Sequence, residues 1–446
     1  MPQWATTETT GWGRLGAAPC EAARPERPRD VTSAMAARDA ESLIAVGAMR
    51  SYGDAAMNTD GRAVLMTRMD RIVELDHDNA VVIVESGVTF RELIDTVLPH
   101  GLMVPVAPGT GYATLGGGLA NDVHGKNQHR AGCIGDHVDW FDLITPDGET
   151  RRVSAGNDAE LFAATIGGIG LTGIIDRICL RLARIPSNAV DVAKTRITDL
   201  DDFLAQLRAA NERSEYVVGW IDALARGRKL GRGVLEEASP SQYGAEFTDK
   251  KKPGPPIDLP SFALNPLSIR AFNDLYYAQT PKAGARAHLD YRQFMFPLDA
   301  VANWNRIYGK RGFRQFQCVI PFDTAPDALR AMLEKTGKAG RGSFLAVLKS
   351  MGPAGAGYLS FAMEGFTLAL DFPNGPGADE FIRELERMAL DAGGRTYLAK
   401  DSTLSPETFA AMYPKLSRLR EVLGRIDPAG AMSSDMARRL DIRGRA

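Results

Sequence analysis

Three glycine-rich segments within the first 175 residues constrain this chain more than any other feature of its sequence. They run Val46-Gly47-Ala48-Met49-Arg50-Ser51-Tyr52-Gly53-Asp54, Pro108 to Asn127, and Gly167-Gly168-Ile169-Gly170-Leu171-Thr172-Gly173-Ile174-Ile175. Glycine loses more backbone entropy on folding than any other residue, so such segments are costly unless chains pack closely there or a ligand lies along the backbone. The first follows a strand-like Leu43 to Val46, and its amides with the Ser51 hydroxyl could wrap a pyrophosphate. Read alone, it is equally a tight structural turn. The second carries Gly109, Thr110, Thr114, Leu115, Gly116, Gly117, Asn121, Val123, His124, Gly125 and Asn127. No GK[ST] closes it, and it is not GxGxxG within a βαβ unit, so the common mononucleotide and dinucleotide loops are excluded. The third, with Gly170 and Gly173, is either a packed corner or a further ligand wall.

With 446 residues the chain has room for two or three domains, and 44% hydrophobic with 24% charged residues is ordinary globular composition. A formal net charge of −2 gives no general drive toward nucleic acid or an anionic membrane, so an anionic ligand must be held locally. Cys20, Cys133, Cys179 and Cys318 form no metal-binding spacing and read as reduced, buried thiols, so no metal is expected. Met1 to Asp30 lacks a signal-peptide pattern, and no run of about 20 apolar residues appears. The expectation is a cytoplasmic protein, with contact at a membrane surface left open.

Ala80 to Glu85 reads as a buried strand, and Thr89 with Glu92 as a capping box opening a helix toward His100. Val138 to Ile144, the turn Pro146-Asp147-Gly148, and Glu149 to Val153 read as a hairpin. Without a regular βαβ rhythm the fold class is α+β. A boundary is expected near Arg184-Ile185-Pro186, where the glycine-rich character stops. Ala238 to Pro260, with five prolines and Lys250-Lys251-Lys252, reads as a long mobile loop. Phe381, Leu385 and Met388 mark a helix that stops at Gly393-Gly394, and Ser405-Pro406-Glu407 caps another.

Beyond the loops, Gln315 and Gln317 flank Phe316 on a strand, so both amides point to one face and suit sugar hydroxyls, or satisfy neighbouring backbone. Trp220, Lys126 and Lys349 are an aromatic wall and two cations suited to a phosphodiester, or simply packing and surface charge.

The order and spacing of the three loops resemble the FAD-binding module of the vanillyl-alcohol-oxidase type. Within that superfamily the chain most resembles the decaprenylphosphoryl-β-D-ribose oxidase family. The resemblance rests on Arg50 to Asp54, His124-Gly125-Lys126-Asn127, Gly170 to Ile175, Gln315-Phe316-Gln317, Tyr397-Leu398-Ala399-Lys400-Asp401-Ser402 and Asp435-Met436-Ala437-Arg438-Arg439-Leu440. It implies a two-subdomain FAD-binding domain over residues 1–186, completed by 392–446, and a mixed α+β substrate domain with an antiparallel sheet over 187–391. It also implies FAD along Ala45 to Ala55, Gly109, Thr114 to Gly117 and Asn121 to His124, with Ile175 near the adenine and Tyr397 near the isoalloxazine. Lys400 and His124 then face a sugar, with Lys400 as the base for its hydroxyl proton and His124 or Tyr52 as the other catalytic candidates. Arg50 stands where some superfamily members tether flavin through His, and no Cys lies between Cys20 and Cys133, so noncovalent FAD is expected.

Two departures touch the substrate pocket: Ala369, in Thr367-Leu368-Ala369-Leu370-Asp371, where a cysteine is common, and Met295 where a tyrosine is common. The resemblance implies oxidation of the C2 hydroxyl of a polyprenyl-phosphoryl ribose, with a separate NAD(P)H-dependent reductase as partner. Rival readings are oxidation of a soluble alditol or aldonolactone, and a flavin-binding subunit without turnover.

Overall fold

The computed structural model describes residues 3–37, 41–248, 253–260 and 262–444. The Lys250-Lys251-Lys252 run lies outside the described residues.

The N-terminal region is built from two small sheets. Ala5–Thr10 pairs antiparallel with Ala17–Ala23, which runs parallel to Arg62–Leu65, itself parallel to Leu43–Val46. The second sheet is antiparallel throughout, in the order Ile72–Asp76, Val81–Glu85, Ile174–Arg181, Val138–Ile144, Thr150–Val153. Ile144 and Ile174 from this sheet share a core with Leu43 and Val64 of the first and with Met432 near the C-terminus. The first glycine segment follows Leu43–Val46 of the first sheet, and the third leads into Ile174–Arg181 of the second. The expected capping box forms, with Thr89 accepting from the Glu92 amide and opening the helix Phe90–Val97. The hairpin at 138–153 and the helices Ala378–Asp391 and Pro406–Met412 are present where the sequence pattern placed them.

Residues 189–396 contribute an eight-stranded antiparallel sheet. Its order is Ala285–Asp290, Ala189–Ile197, Gly233–Pro240, Tyr216–Ile221, Ala346–Met351, Gly365–Pro373, Phe313–Ile320, Arg395–Thr396. Side chains alternate between its faces. Phe316, Cys318, Phe366, Leu368 and Leu370 are buried in the main core with residues of the helices Leu200–Arg213, Ala325–Ala339 and Ala378–Asp391. The opposite face, with Gln315, Gln317, Thr367 and Ala369, turns toward the glycine loops.

The loop expected over 238–260 begins later than the proline content suggested. Ala238, Ser239 and Pro240 pair with Val192, Asp191 and Val190, so they end a strand, and the proline sits at the strand terminus where its missing N–H is tolerated. Farther along, Asp258 forms a bidentate ion pair with Arg14, and the Leu259 amide donates to the Arg306 carbonyl at 3.0 Å.

The last strand explains how the C-terminal part reaches the centre. Arg395–Thr396 pairs with Cys318 and Val319, and the Tyr397 amide donates to the Gln317 carbonyl at 2.9 Å. Two residues on, the Tyr52 amide donates to the Ala399 carbonyl at 2.9 Å. The Tyr397–Lys400 segment is therefore stitched to the large sheet on one side and to the first glycine loop on the other. Among the described residues no helix is long and apolar enough to cross a membrane.

Candidate active site

A cavity of about 950 Å³ lies between the glycine loops and the free face of the large sheet. Its loop side is lined by Gly47, Met49, Arg50, Ser51 and Tyr52 of the first segment and by Gly109, Thr110, Thr114, Gly116, Gly117, Asn121, Val123, His124 and Gly125 of the second. Gly170, Gly173 and Ile175 complete it from the third. Thr114 caps the short helix Leu115–Ala120, accepting from the Gly117 amide at 3.2 Å, and its Oγ1 would stand only 2.2 Å from a Cβ at Gly47. Glycine at 47 is thus required by close approach of the first two loops.

The sheet side follows from register. Trp220, Val347, Ala369 and Gln317 stand side by side across four adjacent strands, Lys349 is opposite Thr367, and Lys194 is opposite Glu236. All of them line the cavity, as do Lys126, Met295, Gln315, Tyr397 and Lys400.

Four residues expected at the ligand do not face the cavity. Gly53 packs against the strand-to-helix connection near the C-terminus, where a Cβ would meet the Asp401 carbonyl oxygen at 1.9 Å. The Asp54 carboxylate is taken by Arg439, with bonds of 2.7 and 2.8 Å. Leu115 is in the core, and buried Asn127 donates to the Pro105 carbonyl. These residues support the loops from behind. Conversely, Trp12, Lys194, Phe272, Tyr276 and Asp299 line the cavity without having been singled out from sequence. Lys194 shares the cavity face of its strand with Val192, two residues before it, a placement set by pairing with segments distant in sequence.

Electrostatics separates the three catalytic candidates. Lys400 lies with Nζ 3.7 Å from the centre of the Tyr52 ring, and burial pushes its pKa down to about 7, against a partial upward pull from Asp371. A fraction of the amine is therefore neutral near pH 7 and able to accept a proton. His124 Nε2 accepts from Gln317 Nε2 at 3.1 Å, and burial, with the Lys349 and Lys400 charges, holds it well below the usual imidazole range. It stays neutral and is a poor proton acceptor. Burial raises Tyr52 well above the usual phenol range, so it stays protonated. Lys126 and Lys349 are lowered to about 8 by burial, and their ammonium groups are steered by the Phe294 and Gly125 carbonyls.

The residues present suit a large, partly anionic group. Arg50 Nε, Ser86 Oγ and Asn121 Oδ1 are buried polar atoms with no protein partner, all on residues lining the cavity. The Arg50 guanidinium is sandwiched by Trp12 and Tyr112 at 4.3 and 5.2 Å from the ring centres. Gly109 has open space where a Cβ would be. A dinucleotide such as FAD would meet these polar atoms, donors and one amide oxygen, and the glycine backbone along one wall, leaving Lys400 and the two glutamines on the other.

Comparison with known proteins supports this reading. Residues 21–154 match the family model described as FAD binding domain, and residues 365–440 match that of D-arabinono-1,4-lactone oxidase. The chain is 36% identical to decaprenylphosphoryl-β-D-ribose oxidase of Mycolicibacterium smegmatis, over 98% of both chains. An uncharacterized protein from the mprA 5′ region of Streptomyces coelicolor is 33% identical over 80% of this chain and all of its own length. Cytokinin dehydrogenase 3 of Oryza sativa subsp. japonica is 30% identical over 41% of this chain and 36% of its own.

Proposed function

Because the chain belongs to the decaprenylphosphoryl-β-D-ribose oxidase family of FAD-dependent oxidoreductases, we propose that its substrate is a polyprenyl-phosphoryl-β-D-ribose, oxidised at the C2 hydroxyl to the 2-keto sugar. The observation that carries this reading is Lys400, an amine held near neutral pKa at the junction of the flavin loops and the sheet, beside Gln315, Gln317 and His124. When bound, FAD supplies the acceptor for the hydride leaving the carbinol carbon.

The protein's part is to hold that carbon and move the hydroxyl proton. Lys400 Nζ takes the proton. Gln315 and Gln317, on the same face of one strand, hydrogen-bond the sugar hydroxyls, and neutral His124 holds the Gln317 amide in orientation. Lys126 and Lys349 attract the phosphodiester, while Trp220, Thr367, Ala369 and Met295 shape the wall around the sugar. Ala369, small and unreactive, leaves space opposite Val347 and Gln317. We assign residues 1–186 with 392–446 to the flavin part and 187–391 to the substrate part, with Arg395–Thr396 crossing over to add the eighth strand to the substrate-side sheet. A separate NAD(P)H-dependent reductase would return the ketone to the arabinose configuration, and the lipid tail places the working enzyme at a membrane surface.

The match of residues 365–440 to D-arabinono-1,4-lactone oxidase favours a second reading, a soluble aldonolactone or alditol as substrate. Anaerobic mixing of holoenzyme with polyprenyl-phosphoryl ribose, and separately with free alditols and aldonolactones, distinguishes the two. The proposal expects flavin bleaching with the lipid-linked sugar at concentrations where the free sugars leave the spectrum unchanged. Faster bleaching by a free sugar would reverse the assignment.

A further expected result concerns attachment of the cofactor. Arg50, within cation–π distance of Trp12 and Tyr112 at the first loop, offers no nucleophile where a tethering His would stand. Acid precipitation should release all yellow colour into the supernatant. Colour retained in the washed pellet would show a covalent link.

A further inference from the structure

Asp371 is a fully buried carboxylate that the reaction as described does not use. It sits directly opposite Gln315 in the antiparallel pair Phe313–Ile320 and Gly365–Pro373, on the cavity side of the large sheet. Gln315 Nε2 donates to its Oδ1 at 2.5 Å, and the Tyr308 hydroxyl donates to its Oδ2 at 2.9 Å. Tyr308 in turn shares a hydrogen bond with Ser343 at 2.9 Å, and its ring stacks on Phe313, 4.1 Å between centres. A carboxylate with two donors on it fixes both: the Gln315 amide must turn its nitrogen inward, which leaves its carbonyl oxygen for the cavity.

We propose that Asp371 is the positioning residue of the active site, orienting the Gln315 amide so that its oxygen accepts from a sugar hydroxyl, and supplying the counter-charge to Lys400 once that amine has taken the substrate proton. The proposal rests on the assignment of Lys400 as base. In the step, the substrate O–H bond breaks, its proton goes to Lys400 Nζ, and the C2 hydride goes to the bound flavin, so the protein gains one positive charge. That charge forms in a wall which already holds the Lys349 cation. Neutral His124 and the protonated Tyr52 phenol also face it and carry no charge to offset it. Asp371 holds the Tyr308 hydroxyl, the Tyr308 ring stacks on Phe313, and Phe313 meets the edge of Tyr52, over whose ring Lys400 Nζ lies, so Asp371 is the anion that opposes the new ammonium. Burial pushes Asp371 up to about 7, while Gln315, Tyr308 and Lys400 each favour its ionised form. Carboxylate and amine thus exchange charge states over the same pH range.

Lys400 accepts a proton only when neutral, so the flavin-reduction rate falls as pH drops through its pKa. Asp371 raises that pKa, so removing its charge must move the acid limb to lower pH. Holoenzyme carrying Asp371→Asn, mixed anaerobically with polyprenyl-phosphoryl ribose, should show the limb displaced by about 1 unit or more. It should also show a higher KM, as the Gln315 amide is freed to flip. Tyr308→Phe, which removes one donor and is the gentler change, should displace the limb in the same direction by less. Independently of turnover, the pH dependence of Lys400 acylation, read by mass spectrometry, should shift to lower pH in both variants. An acid limb and an acylation profile that stay at the wild-type pH in both would overturn the proposal while leaving Lys400 as base. Near wild-type flavin reduction in Lys400→Ala would remove the base assignment, and this inference with it.

Discussion

Lys400→Ala is expected to retain its FAD and to lose roughly 100-fold or more in the rate of flavin reduction by substrate, the range for a positioned general base. Retention follows from placement. The glycine loops and the buried orphan atoms on Arg50, Ser86 and Asn121 are contributed by other segments, and Lys400 touches the Tyr52 ring rather than a loop amide. The loss follows from chemistry. His124 is held neutral well below the usual range and Tyr52 stays protonated, so neither neighbour can replace the amine. Lys400→Arg should not restore the rate, because a guanidinium cannot give up its proton in this range. In the wild type the rate should fall as pH drops below about 7, and the alanine variant should lose that limb. Absorbance of bound flavin alongside stopped-flow reduction checks both halves.

The second large effect is on stability. Arg439, in the helix Asp435–Arg439, donates to Asp54 through Nε and Nη2, to Asp401 at 2.9 Å and to the Leu404 carbonyl at 2.9 Å. Asp401 has no side-chain exposure and Asp54 has 19%. Arg439→Ala leaves these two carboxylates without their cation, a change that costs about 3 kcal/mol when a buried pair is broken. Urea unfolding of the holoenzyme should show it as a lower midpoint. Arg439→Lys should recover only part, since an ammonium cannot span both carboxylates with a planar fork. The connection also bears on function, because Asp54 belongs to the first glycine loop and Asp401 follows Lys400. An unfolding free energy within about 0.5 kcal/mol of wild type, the usual range for a surface substitution, would show that the network carries no such load.

The loops were legible because glycine is informative wherever chains or ligands approach closely, as Gly47 against Thr114 illustrates. What the loops could not reveal was which of their own residues face inward. A strand has an alternation to read, whereas an irregular segment has none, so Gly53, Asp54, Leu115 and Asn127 were grouped with the ligand although they brace the loops. The alternation that exposed Gln315 and Gln317 also holds for Thr367, Ala369 and Asp371, but Asp371 acquires meaning only from its register opposite Gln315, 56 residues away in sequence. Lys194 is similarly hidden, since its strand is paired with segments some 40 and 90 residues later. Trp12 lies in the turn of the first hairpin, where nothing in composition connects it with Arg50. Proline content extended the expected loop at 238 into a strand because proline is compatible with a strand terminus as well as with a loop.

In the proposed reaction the bond broken at this site is the C2–H bond of a lipid-phosphate-linked ribose. Anaerobic single-turnover reduction of the holoenzyme by polyprenyl-phosphoryl ribose carrying deuterium at C2 tests it directly. Flavin should bleach clearly more slowly than with the protium substrate, and quenching should yield a 2-keto sugar. Bleaching at equal rates with both substrates, together with label retained in the product, would contradict it.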